Sequence, residues 1–157
     1  MMHIYHQNGG VFMNYRTDRY GNPLSILGFG CMRFPQKLGR IDMEETEKQI
    51  VEAIRGGVNY FDTAYIYPGS EATLGEILER NNLRDQVYIA TKLPHYLIKS
   101  RQVLDKLFEE QLKRLRTDYV DYYLMHMLTD IKSWERMKAL GVLEWLQETA
   151  GGEYEKS

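Results

Sequence analysis

The chain has 157 residues, of which 43% are hydrophobic and 27% charged, enough for one globular domain with a sizeable core. Its 20 basic and 22 acidic side chains are interspersed and leave a net charge of −2, so composition gives no reason to expect nucleic acid or an anionic membrane surface as the main partner. A single cysteine, Cys31, excludes an internal disulfide and a thiolate zinc site within the chain and fits a reducing compartment.

Residues 1–12, MMHIYHQNGGVF, carry neither a basic n-region nor a long apolar run, so no signal peptide is expected and the segment reads as a disordered extension. His3 and His6 stand three apart with no third ligand nearby, and no metal site is expected. No stretch is long and apolar enough to span a bilayer, which leaves a cytoplasmic location as the expectation. From Asn14 to Arg19 and from Pro23 to Leu27 the chain flanks the turn signal Tyr20-Gly21-Asn22, predicting a β-hairpin. A strand is expected over Leu27 to Cys31.

Asp42 followed by Glu45 is a capping-box start, and Ile50, Val51 and Ile54 recur at helical spacing until Gly56-Gly57 stops the helix. Val58 to Phe61 is nearly continuous in apolar and aromatic residues, as in a strand covered on both faces. A second helix is predicted over Ser70 to Glu79, started by Ser70 and Thr73 and ended by Asn81-Asn82. Strand three is Val87 to Thr91. Helix three starts near Ser100 and shows the stripe Val103, Leu104, Leu107, Phe108, Leu112 and Leu115, read as a core face. Strand four, Tyr119 to Met125, leads into a short helical segment from about Ile131 and a longer one through Val142, Leu143, Trp145 and Leu146. Four strand–helix alternations with connections too long for hairpins predict parallel βα units. Residues 150–157 contain no apolar run for a fifth strand, so a polar tail and a truncated chain are expected.

Three of these strands end in chemistry. Val58 to Phe61 delivers Asp62 and, five residues on, Tyr67; strand three delivers Lys92; strand four delivers His126. In a parallel α/β sheet the C-terminal strand ends face one crevice, so the four groups are expected to converge. The order Asp62, Tyr67, Lys92, His126, with Gly28-Phe29-Gly30-Cys31-Met32-Arg33 upstream, resembles the N-terminal half of an aldo-keto reductase, from about Met13 to about Gln147.

The resemblance implies an α/β fold, the N-terminal half of a (β/α)8 TIM barrel, with about four parallel strands, alternating helices and a preceding β-hairpin that closes the barrel bottom, over residues 13–149. It also implies NADPH-dependent reduction of aldehydes or ketones to alcohols, with a small carbonyl compound as substrate. Tyr67 would be the proton donor. A free tyrosine titrates near pH ~10, a poor match to neutral pH, and an adjacent ammonium stabilises the phenolate. Lys92 would supply that ammonium, and Asp62 would anchor it. His126 would hydrogen-bond the substrate carbonyl oxygen. Gly30, Cys31 and Met32, with Asp62, carry over as contacts to the nicotinamide end of the cofactor. No GxGxxG stands in the chain, and the family uses none.

Each residue also has a packing explanation. Tyr67 is one of 12 tyrosines, Lys92 could be a solvated strand end, Asp62 could cap a turn, His126 could be a satisfied core histidine, and Cys31 reads as an inert small hydrophobe. Family members are complete barrels of roughly 250 residues, and most of their cofactor contacts come from the second half. A half-barrel is therefore expected to expose two strand edges and to be unstable, self-associating or dependent on a partner. The alternative reading is a non-catalytic fragment or interaction module, and a weaker one is a flavodoxin-like binding domain.

Overall fold

The computed structural model describes residues 13–150. The extension expected at 1–12, with His3 and His6, and the tail beyond Ala150 lie outside the described residues. The hairpin forms where the turn signal placed it: β1 (Tyr15–Thr17) pairs antiparallel with β2 (Pro23–Ser25). Asp18 holds the turn, its Oδ1 accepting from the backbone N–H groups of Tyr20 and Asn22 at 2.8 Å each.

β3 (Phe29–Gly30) is shorter than the expected strand because glycines at 28 and 30 give it little to pack. It is followed by a hairpin that sequence patterning missed, β4 (Gln36–Lys37) and β5 (Arg40–Ile41), which turns through Leu38 (φ 52°) and Gly39 (φ 75°). Such turns normally announce themselves by Asn or Asp before glycine; leucine gives no such signal.

α1 (Met43–Arg55) is capped by Asp42, whose carboxylate accepts from the Glu45 N–H at 3.2 Å. The Glu45 carboxylate accepts from Gln49 instead, so half of the capping box forms. β6 (Tyr60–Asp62) leads to α2 (Ser70–Arg80). The cap of α2 is Gly69 in a left-handed conformation, not a serine or threonine side chain. β7 (Tyr88–Leu93), α3 (Arg101–Leu115), β8 (Tyr122–Met125), α4 (Ile131–Ala139) and α5 (Val142–Thr149) complete the alternation. The two terminal helices reverse the expected lengths, with nine residues in α4 and eight in α5.

β3, β6, β7 and β8 form one parallel sheet in that order, with Gly30, Asp62, Ala90 and Tyr122 in one cross-strand row. Side chains alternate between faces along each strand, so Tyr60 and Asp62, Tyr88 and Lys92, and Tyr122 and Leu124 share one face. Phe61, Ile89 and Leu93 occupy the other, beneath the helices. There they join two buried clusters, one around Phe61, Ile50, Leu74 and Ile77, the other around Leu93, Leu104, Met137 and Trp145. Burying a side chain such as Phe61 stabilises by about 1.5–3 kcal/mol, so this face fixes the register on which the opposite face depends. At the N-terminal end of the sheet the Tyr122 hydroxyl donates to Asp18 Oδ2 at 2.5 Å, tying the first hairpin beneath β8. Among the described residues no helix is long and apolar enough to cross a membrane.

Candidate active site

The four strand-end groups converge. Lys92 Nζ donates to Asp62 Oδ1 at 2.5 Å and to the Thr63 carbonyl at 2.7 Å, so the ammonium is held by two neighbours on the adjacent strand. The Lys92 side chain is 15% exposed and that of Asp62 38%, leaving the carboxylate open to solvent on one side.

Tyr67 sits between β6 and α2 on a segment closed by two tight turns, Tyr67 N–H to Ala64 O at 3.1 Å and Ser70 N–H to Tyr67 O at 3.0 Å. Its ring centre lies 5.1 Å from Lys92 Nζ. The His126 ring meets the Tyr67 ring edge-on, with centres 5.6 Å apart and planes at 89°. An ammonium at that distance from an aromatic ring is attracted by the ring face.

His126 follows β8 directly. Its N–H donates to Leu93 O at 2.9 Å and its carbonyl accepts from His95 Nδ1 at 2.6 Å, which fixes His95 as the Nδ1–H tautomer. Arg136 in turn donates to the His95 carbonyl at 3.0 Å. The His126 ring is buried and its Nδ1 has no partner among the described residues. Burial holds the imidazole below its ordinary 6.5; the Lys92 ammonium and His95 push the same way and Asp62 opposes them. The shift favours the neutral imidazole, which carries one N–H. A buried polar atom without a partner costs about 1–3 kcal/mol, which a polar ligand beside it would recover.

The end of β3 and the loop after it divide their residues between two faces. At Gly30 an added Cβ would meet nothing within 4 Å, and Met32 is 56% exposed, so the backbone here is open to a flat ligand. Cys31 turns the other way. Its side chain is fully buried, and burial, with the Asp62 charge next, pushes the thiol far above its usual range. Cys31 can offer a ligand only its backbone, whose N–H donates to Asp62 O at 2.8 Å and whose carbonyl accepts from Ser70 Oγ at 2.7 Å.

Thr63 holds Lys92 through its carbonyl, His95 holds the His126 carbonyl through its ring, and Arg136 holds His95 through its guanidinium; sequence reasoning missed all three. No spacing signal marks them, because each acts on a residue about 30 to 40 positions away.

Over 109 residues the chain is 35% identical to D-galacturonate reductase of Fragaria ananassa, covering 66% of this chain and 32% of that protein. Over 120 residues it is 34% identical to morphine 6-dehydrogenase of Pseudomonas putida, covering 67% of this chain and 40% of that protein. The structure of an aldo/keto reductase from Brucella melitensis superposes with a TM-score of 0.65 at 26% identity, over 88% of this chain and 50% of that one. The chain thus spans about a third of the length of the curated relatives it matches. The model of the Aldo/keto reductase family matches residues 26–150, and the chain belongs to that family.

Proposed function

We propose that the residues gathered here perform the proton chemistry of an NADPH-dependent carbonyl reductase, converting aldehydes or ketones to alcohols. The observation that carries this reading is the Asp62–Lys92 pair set 5.1 Å from the Tyr67 ring, with His126 edge-on beside it. NADPH would lie against Gly30, Met32 and Asp62, where the open backbone leaves room for a flat ring, and when bound it supplies the hydride that no side chain can.

The chain's own residues do the rest. His126 donates its single N–H to the carbonyl oxygen and polarises it. Tyr67 gives its hydroxyl proton to the alkoxide oxygen that forms as the carbonyl carbon is reduced. Lys92 stabilises the phenolate left behind, and Asp62 with the Thr63 carbonyl keeps the ammonium in place.

Fluorescence titration of NADPH with the 157-residue chain, followed by an aldehyde or ketone reduction assay, tests the reading. Saturable quenching and turnover that falls by about 10²–10⁴-fold in Tyr67→Phe are expected. Near-normal turnover in Tyr67→Phe would make the proton-donor assignment wrong.

A second reading, a non-catalytic interaction module, is favoured by one feature: among the described residues β3 and β8 each have only one neighbour in the sheet. Unpaired edges are templates for association. Concentration-dependent mass in sedimentation, without any NADPH quenching, would support this reading over the first.

A further inference from the structure

On the helix side of the sheet, behind Lys92, lies a buried polar cluster that the proton chemistry does not use. Glu71, in the first turn of α2, is 2% exposed. Its Oε1 accepts from the Thr91 hydroxyl at 2.6 Å and from the Gln111 amide at 2.7 Å, and its Oε2 accepts from Arg114 at 3.3 Å. The same Gln111 amide donates to Thr91 Oγ1 at 2.9 Å and to the Lys92 carbonyl at 3.3 Å, while its Oε1 accepts from the Tyr123 hydroxyl at 2.6 Å.

A carboxylate taken out of water gains little stability even when well paired; apolar residues of similar volume often serve as well or better. Its satisfied bonds do something that an apolar side chain cannot, which is to fix direction. Glu71 stands four residues after Tyr67, and Thr91 immediately precedes Lys92. One carboxylate therefore joins the segment that carries the phenol to the strand that carries the ammonium. Ser70 adds a second tie, its hydroxyl lying 2.7 Å from both the Cys31 carbonyl and Thr63 Oγ1.

We propose that Glu71 is a positioning residue: with Thr91 and Gln111 it locks the segment between β6 and α2 against β7 and so sets the separation of Tyr67 from Lys92. This deepens, and rests on, the reading of Tyr67 as acid and Lys92 as its neighbour.

The test uses nuclear Overhauser contacts between the Lys92 side chain and the Tyr67 ring in the 157-residue chain, read beside thermal unfolding. The contact is expected in the unaltered chain and in Glu71→Gln, whose amide oxygen still accepts from Thr91 and Gln111, and is lost in Glu71→Ala. Should Glu71→Ala not fold, Thr91→Val carries the test, because it keeps the side-chain shape and removes the hydroxyl that links Glu71 to β7. A contact that persists in folded Glu71→Ala or folded Thr91→Val, or that is absent from the unaltered chain, overturns the proposal. Failure of both variants to fold assigns the cluster to stability alone and also overturns it. Where carbonyl turnover is observed, Glu71→Ala lowers kcat by about 100-fold for a 1 Å displacement and leaves the KM for NADPH unchanged. Failure of the reductase reading shows separately, as absent NADPH quenching with the contact intact.

Discussion

Gly75→Ala is a small change with a large expected cost. Gly75 lies in α2 where that helix crosses the end of α3, and a Cβ added there would stand 2.4 Å from the Leu115 carbonyl carbon, 2.5 Å from its oxygen and 2.6 Å from the Arg114 oxygen. Carbon atoms pack at about 3.5–4.0 Å, so the overlap exceeds ~1 Å. The obstacle is backbone, which cannot swing aside, and it is pinned by the left-handed cap at Arg116 that closes α3. Overpacking costs about 1–3 kcal/mol, and a contact with backbone belongs at the upper end. Alanine returns about 0.5–1 kcal/mol through its better helix propensity. The net is a loss of about 2 kcal/mol, which for a chain of this size lowers Tm by about 4–8 °C. Thermal unfolding followed by far-ultraviolet circular dichroism reads it directly. An unchanged or raised Tm would mean that propensity wins and that the two helices do not approach this closely.

Leu38, 97% exposed and at φ 52°, sits in a conformation that costs an ordinary L-residue about 1–2 kcal/mol, and Leu38→Asn is expected to recover part of that as a higher urea midpoint. Asp18 is held down to about 2, chiefly by the Tyr122 hydroxyl and then by Asn22 and Tyr20, so its contribution is present above 3.8 and lost as pH falls through about 2. Urea midpoints of Asp18→Asn should therefore lie below those of the unaltered chain at neutral pH and converge with them on acidification. The His126 imidazole, titrated by NMR, should show a midpoint below 6.5 that rises in Lys92→Met, since the ammonium is one of the groups that lower it. The unfolded chain takes up that proton first, so the stability contributed by neutral His126 is present above 6.5 and declines as pH falls toward its native midpoint.

Much of the fold could be read from periodicity. The four parallel strands and the helices between them follow from apolar runs and stop signals, and the C-terminal end of a parallel sheet predicts where Asp62, Lys92 and His126 meet. That they also share a face follows from register: Asp62 lies opposite Ala90, two residues before Lys92. Glu71 escaped notice because an acid in the first turn of a helix ordinarily complements the helix dipole in solvent. Its burial depends on Gln111 and Arg114, some 40 residues later. The sidedness of Cys31 was equally hidden, since a strand of two residues offers no alternation to read.

The four groups proposed to handle the proton all fall between Asp62 and His126, at or just beyond the ends of three adjacent strands. Hereditary change is therefore unequal across such a sequence. An exchange of genetic material downstream of Met127 would replace whatever follows while passing on phenol, ammonium, carboxylate and imidazole together in their mutual arrangement. A crossover between Tyr67 and Lys92 would separate partners and, with them, the Glu71–Gln111 clasp.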